Sequence, residues 1–247
     1  MTTTIGLNIM ALPSIATPTY ELELPSTGKK TKYRPFLVKE EKILLLATES
    51  EDPKDVKQAV RDIVKACVLS RIKIDDLTSF DLEYLFLRIR AVSVGEEVQM
   101  KVTCNDDNET KVDFTIDLTK VEVEIPEGHD KKIMLTDNLG VIMRYPGLDQ
   151  FVDLTMIGKD LDNVDEVFNL VANCIEQIFE GEDVYDSSTT THEEFVQFIE
   201  SLTQKQFELL QKFFETMPVL RHKFKITNPN TGVESEYQLE GLQSFFG

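Results

Sequence analysis

The spacing of hydrophobic residues divides the chain into helical and extended parts. Apolar residues three and four positions apart cover most of residues 36–95 and 147–222, which is the helical period. Apolar and polar residues alternate through residues 96–146. The pattern predicts an α+β fold: helical N-terminal and C-terminal segments around a small antiparallel β-sheet, with a C-terminal β-hairpin.

Helix start signals support the helical assignments. Asp52 followed by Pro53 is the combination expected at an N-cap and a first helical position. Another helix is expected to begin near Thr78, and Thr-x-x-Glu and Thr-x-x-Gln capping boxes begin at Thr191 and Thr203. The apolar positions of residues 164–179 predict a single helix that ends at the glycine in position 181.

Extended segments are separated by turn-forming residues. We expect residues 97–146 to form one small antiparallel sheet, whose hairpins include residues 133–135 with 141–144. Two more hairpins are expected outside it, made of residues 20–24 with 31–36 and of residues 223–227 with 233–239.

Five segments follow from these patterns, and they make up one or two globular domains. The segments are an N-terminal arm and hairpin (1–35), a helical segment (36–95), a β-sheet segment (96–146), an acidic helical segment (147–222), and a C-terminal hairpin and tail (223–247).

The negative charge is concentrated in one stretch. Residues 147–200 hold 14 acidic residues against the single base Lys159, out of a net charge of −18 for the whole chain. Such a surface repels phosphate backbones and anionic lipids, so we expect neither nucleic acid nor membrane as a partner. Three interpretations stay open: a solvated face, a dock for a basic partner, or a mimic of nucleic acid.

No catalytic or metal-binding motif is present. His129, His192 and His222 lie far apart in the sequence, and each is expected at a loop or a helix end. There is no HExxH, no phosphate-binding loop and no GxSxG elbow. The cysteines form no CxxC pair, and Cys67 and Cys174 fall within apolar helical stripes. We therefore expect no catalytic residue, no cofactor and no metal.

Four stretches resemble the baseplate hub assembly proteins of T-even-type tailed phages. They are residues 36–46 (FLVKEEKILLL), 79–91 (SFDLEYLFLRIRA), 140–146 (GVIMRYP) and 239–246 (LEGLQSFF), and the resemblance extends over residues 20–247.

The resemblance implies a function in phage tail morphogenesis. It implies a chaperone-like assembly factor that binds other hub proteins in the host cell cytoplasm. The alternative is a permanent hub subunit in the virion. Remoter alternatives are an acidic DNA-mimic inhibitor and an enzyme with an unfamiliar site. Self-association also stays open. Some family members carry paired cysteines in turns like those at 104–110 and 228–232. Here only Cys104 is kept, with Asn228 and Asn230 in the second turn, so no metal staple is expected.

Two uncharged segments are the candidate partner contacts. In the N-terminal arm the apolar residues alternate, which fits either a strand packed on the same chain or an arm docked on a partner. The tail holds two adjacent phenylalanines just before its last residue, and they either fold back into the core or meet a partner. The candidate contact residues are Ile5, Leu7, Ile9, Leu242, Phe245 and Phe246.

Overall fold

The computed structural model describes residues 15–50, 52–147 and 164–245. Its six described α-helices are α1 (Val38–Glu49), α2 (Pro53–Cys67), α3 (Ser79–Val94), α4 (Val164–Asn173), α5 (His192–Ser201) and α6 (Gln204–Glu215). Three short 3-10 helices cover Ile74–Asp76, Leu118–Lys120 and Leu242–Phe245. No helix in these ranges is long and apolar enough to cross a bilayer.

Eleven strands in the described residues form four antiparallel sheets. The strands are β1 (Tyr20–Glu23), β2 (Lys30–Tyr33), β3 (Glu97–Thr103), β4 (Lys111–Asp117), β5 (Glu122–Glu124), β6 (Lys132–Met134), β7 (Leu139–Met143), β8 (Ile175–Glu180), β9 (Asp183–Asp186), β10 (Val219–Thr227) and β11 (Glu234–Glu240). The sheet orders are β1-β2, β3-β4, β11-β10-β5 and β6-β7-β8-β9.

The α+β class is confirmed, and so are the local start signals. The side chain of Asp52 accepts the backbone N–H of Lys54 at 2.9 Å. Thr78 caps α3, and both predicted capping boxes form at Thr191 and Thr203. These signals are local in sequence, so the surrounding fold does not override them.

The N-terminal helices and hairpin share one hydrophobic core. It is formed by α2, by α3 and by the β1-β2 hairpin, and the most deeply buried side chains include Ile63, Val64, Leu85, Phe86 and Ile89. α3 is apolar on most of its surface and is buried along most of its length, as expected for a central helix.

A second core lies between the four-stranded sheet and the C-terminal helices. Its buried residues come from β7, β8, α4, α5 and α6, and they include Val141, Met143, Ile175, Phe195 and Leu210. A smaller cluster joins the two long hairpins face to face, where the rings of Phe114 on β4 and Phe224 on β10 stack at 4.2 Å.

The single helix predicted over residues 164–179 is wrong in its second half. α4 ends at Asn173, and residues 175–180 form β8, which pairs with β7 and β9. At the break, the backbone N–H of Arg144 donates to the Cys174 carbonyl at 2.8 Å, and Arg144 Nε donates to the Asn173 carbonyl at 2.7 Å. These donors from the end of β7 satisfy carbonyls at the helix C-terminus, where a cation is also favoured.

The prediction of one sheet over residues 97–146 is also wrong. β3 and β4 pair only with each other, β5 pairs with β10, and β6 and β7 join β8 and β9. β5 and β7 each pair with a strand far away in the chain, because sheet pairing depends on tertiary packing more than on local pattern. The segment boundaries proposed from the sequence stay a prediction.

Candidate partner-binding surfaces

One side of α1 is anchored to the body of the protein by a buried carboxylate. Glu40 is 2% exposed. Its carboxylate pairs with Arg34 Nη2 at 3.1 Å and accepts the backbone N–H of Leu37, the N-cap residue, at 2.7 Å. Burial by itself would raise the pKa of Glu40, but the Leu37 N–H and the Arg34 guanidinium outweigh it and lower that pKa. The start of α1 is therefore fixed in position.

The opposite side of α1 is apolar and exposed. Its exposed apolar residues, with their exposed fractions, are Val38 (80%), Leu45 (57%), Leu46 (56%) and Ile43 (41%). We call these four residues the α1 outer face. Since Ile43 to Leu46 are consecutive in a helix, they cannot all point to one side, and only Leu44 among them packs against the core. Contiguous exposed apolar surface of this kind marks a contact with another molecule.

A groove extends the α1 outer face toward the end of α3. It encloses about 590 Å³, and its lining includes Leu37, Val38, Ser93 and Val94. Leu37 is 41% exposed and Val94 is 62% exposed. The apolar surface therefore continues past the N-terminus of α1.

A smaller apolar row crosses the outer face of the four-stranded sheet. Met134, Gly140, Phe179 and Val184 are successive partners on β6, β7, β8 and β9. The Phe179 ring covers Gly140 so closely that a Cβ there would lie 2.3 Å from it, and Lys132 Nζ lies 4.9 Å from the ring centroid. Met134 and Val184 stay exposed at 43% and 53%.

Several acidic side chains in the described C-terminal part serve local structure. Asp165 and Glu166 lie in the first turn of α4, beside its positive end. Glu194 completes the capping box of α5. The hydroxyl and backbone N–H of Ser188 lower the pKa of Asp186, with help from Thr189. The acidic stretch at residues 160–163 lies outside the described residues.

The candidate contact residues of the arm and the tail divide into two groups. Ile5, Leu7, Ile9 and Phe246 lie outside the described residues. Leu242 and Phe245 belong to the first core, with exposed fractions of 6% and 1%. These two side chains therefore fold back into the core, and a contact with a partner through them stays a prediction.

The turns at 104–110 and 228–232 meet, and hydrogen bonds join them. The Asn228 side chain is buried, and its Nδ2 donates to Asp106 Oδ1 at 3.0 Å and to Asp107 Oδ2 at 2.9 Å. Asn230 Nδ2 donates to Thr110 Oγ1 at 2.8 Å. Within the described ranges, no group of three or more His, Cys, Asp and Glu residues is placed to hold a metal ion. The joint is thus an amide–carboxylate network.

The three cysteines are buried thiols. Burial raises the pKa of Cys67 to about 11 and of Cys174 to about 12, and it also raises the pKa of Cys104. Thiols of this kind remain protonated at neutral pH and pack as small hydrophobic groups.

The histidines lie in three separate environments. His129, in the loop after β5, is close to Tyr145 Oη and Thr216 Oγ1, at 3.0 Å each, and its ring packs on Phe213. His192 opens α5, as expected. His222 is inside β10, so the prediction of a position after a helix end is wrong. Burial lowers the pKa of both His129 and His222.

The fold and these surfaces define an α+β protein whose most conspicuous exposed feature is an apolar helix face. Its family is known: the family model described as T4 bacteriophage base plate protein matches residues 17–247. The chain belongs to this family, so it is a T4-type phage baseplate protein. No curated protein and no solved structure matched the chain.

The α1 outer face was not predicted from the sequence. The signal was present: four consecutive apolar residues, 43–46, stand in a segment that was predicted to be helical. A helix that packs on one side buries about half of such a run, so the other half must stay exposed or be covered by a partner.

Proposed function

We propose that this baseplate protein is a hub assembly factor, which binds other hub proteins in the host cell cytoplasm during tail morphogenesis. The observation that carries the proposal is the α1 outer face. It places four apolar side chains in water on a helix that the ion pair between Arg34 and the buried Glu40 holds in position.

Covering this face with a partner is energetically favourable. Each of Leu45 and Leu46 has more than half of its surface exposed, and burying it contributes roughly 1 kcal/mol. Because α1 is already fixed, little conformational entropy is lost when a partner docks on it. Lys39, Glu41 and Lys42 lie among the apolar residues and are exposed, which keeps the uncovered face hydrated.

Capture from infected cells tests the proposal. Tagged wild-type protein is expected to retain other baseplate proteins, whereas Leu45→Glu/Leu46→Glu is expected to lose them. The matched control is Leu209→Glu, since Leu209 on α6 is also exposed, at 41%, but lies outside this face. Equal retention by all three proteins contradicts the assignment of the face.

A permanent hub subunit is the second candidate, favoured by membership of a family of base plate proteins. Mass spectrometry of purified particles separates the two. An assembly factor is absent from finished particles, whereas a subunit is present in a fixed ratio to the other hub proteins.

We also propose that the N-terminal arm adds to partner binding through Ile5, Leu7 and Ile9. Deletion of residues 1–19 is expected to weaken capture without changing the melting temperature. Unchanged capture contradicts the arm's contribution. The proposed activity is binding alone, and turnover of a small molecule by the purified protein would contradict it.

A further inference from the structure

We propose that the α1 outer face binds a second copy of this chain, with the two α1 helices antiparallel and crossing at Leu45 and Leu46. The inference rests on the proposed function, since it takes this face to be a protein contact, and it names the occupant of the face in the purified protein, where other hub proteins are absent. The charges on the exposed side of α1 support this arrangement.

The exposed side of α1 carries one regular stripe. Val38, Lys42, Leu45 and Glu49 follow each other at spacings of four, three and four residues, so they lie in line along the helix. The stripe spans the 12 residues of α1, and Leu46 lies beside Leu45. A helix with such a stripe packs against another helix through its apolar positions, and the charged positions select the partner and its direction.

Antiparallel pairing makes this stripe complementary to itself. When a two-fold axis passes between Leu45 and Leu46, Leu45 of each copy faces Leu46 of the other. In the same register, Lys42 of each copy faces Glu49 of the other. Two attractive charge pairs then flank a central apolar contact.

The other arrangement of two copies is unfavourable. In a parallel pair Lys42 faces Lys42 and Glu49 faces Glu49, so both contacts are repulsive. The remaining exposed acid near the stripe, Glu41, lies opposite Ser50 in the antiparallel register and meets no like charge there. The charge order on α1 therefore favours one direction.

The helix dipole also favours the antiparallel pair. The last turn of α1 holds the acid Glu49 and no base. A negative charge at a helix C-terminus is unfavourable for the isolated helix. Lys42 of the second copy places a positive charge beside it, so pairing offsets this unfavourable interaction.

A charge swap tests the register in the purified full-length protein. Sedimentation velocity over a concentration series is expected to show a reversible dimer of the wild type. Lys42→Glu and Glu49→Lys are each expected to raise its dissociation constant about tenfold or more, because each turns two symmetry-related attractions into repulsions. The double variant Lys42→Glu/Glu49→Lys is expected to recover at least most of the lost affinity.

Several outcomes would overturn the inference. A wild type that stays monomeric at every concentration would overturn it. A double variant that dimerises no better than the single variants would overturn it too. A dimer that Leu45→Glu/Leu46→Glu leaves intact does so as well, since its interface then lies elsewhere. Circular dichroism and the melting temperature confirm that each variant is folded, with Leu209→Glu as the surface control.

The inference and the proposed function fail separately. A monomeric protein that still captures baseplate proteins through Leu45 and Leu46 refutes the second copy and keeps the function. A charge-dependent dimer that captures no baseplate protein keeps the second copy and refutes the function.

Discussion

The carboxyl group of Glu83 on α3 connects the pH to the stability of the fold. Glu83 is buried against the C-terminal 3-10 helix, where it accepts the backbone N–H of Leu242. Burial raises the pKa of Glu83 to about 7 from an ordinary value of 4.5, and the nearby Glu240 charge adds to the rise. The substitution Glu83→Gln keeps an acceptor for Leu242 and removes the titrating charge.

The sign and the size of the effect follow from this pKa. Since the pKa of Glu83 is higher in the folded than in the unfolded protein, its stabilising contribution is complete below pH 4.5 and is lost as the pH rises through about 7. A shift from 4.5 to about 7 corresponds to about 3 kcal/mol at high pH. Glu83→Gln, which resembles the protonated acid, is therefore expected to exceed the wild type in free energy of unfolding by about 3 kcal/mol near pH 8. Near pH 5 the difference should shrink to about 1 kcal/mol, because the unfolded chain is only partly protonated there.

Urea unfolding followed by circular dichroism at several pH values measures this difference. Glu236→Gln is the matched control, because it removes the same charge at an exposed position on β11. The control should show no comparable gap. If the difference between Glu83→Gln and the wild type is the same near pH 5 and near pH 8, the buried carboxyl does not titrate as described and the reasoning is refuted.

Two further predictions concern joints between elements. Because burial lowers the pKa of His129 beneath its ordinary 6.5, its contribution to stability is present above that pH and is lost as the pH falls. His129→Gln should flatten this acid loss in thermal melts, and an unchanged slope would speak against it. Removing the buried amide in Asn228→Ala should cost about 1–2 kcal/mol, since its bonds to Asp106 and Asp107 are lost. Asn228→Asp should melt lower still, because it adds a third carboxylate, and the opposite order of melting temperatures would rule out the amide–carboxylate joint.

Local signals made parts of the fold predictable. Asp52, Thr78, Thr191 and Thr203 each form the cap that the sequence indicates, because the donor and acceptor lie within three residues of each other. The β1-β2 and β10-β11 hairpins were predictable because they too are local in sequence: each has a short, polar turn.

Non-local pairing made other parts unpredictable. The spacings of the apolar residues Ile175, Ile178 and Phe179 also fit a helix. These residues form β8 because they pair with β7, which lies more than thirty residues earlier in the chain. Gly181, expected to end a helix, instead takes a φ of +61° in the turn between β8 and β9. The same limit applies to β5, since its partner β10 comes about a hundred residues later.

The candidate contacts show a related limit. Composition identified Leu242 and Phe245 as apolar residues near a chain end, but it did not indicate whether the core has room for them. The first core holds both. Conversely, the α1 outer face is exposed because only one side of α1 packs on the protein, a property of the tertiary structure that residues 43–46 signal only through their continuous hydrophobicity.

The most direct test of the central claim is photo-cross-linking in infected cells. A photoreactive amino acid at position 45, on the α1 outer face, is compared with the same group at position 209 on α6. The account predicts adducts from position 45 to a baseplate protein or to a second copy of the chain, with none from position 209. Adducts from position 209 alone, or none from either position while the phage assembles normally, would contradict the claim that this protein acts through the exposed face of α1.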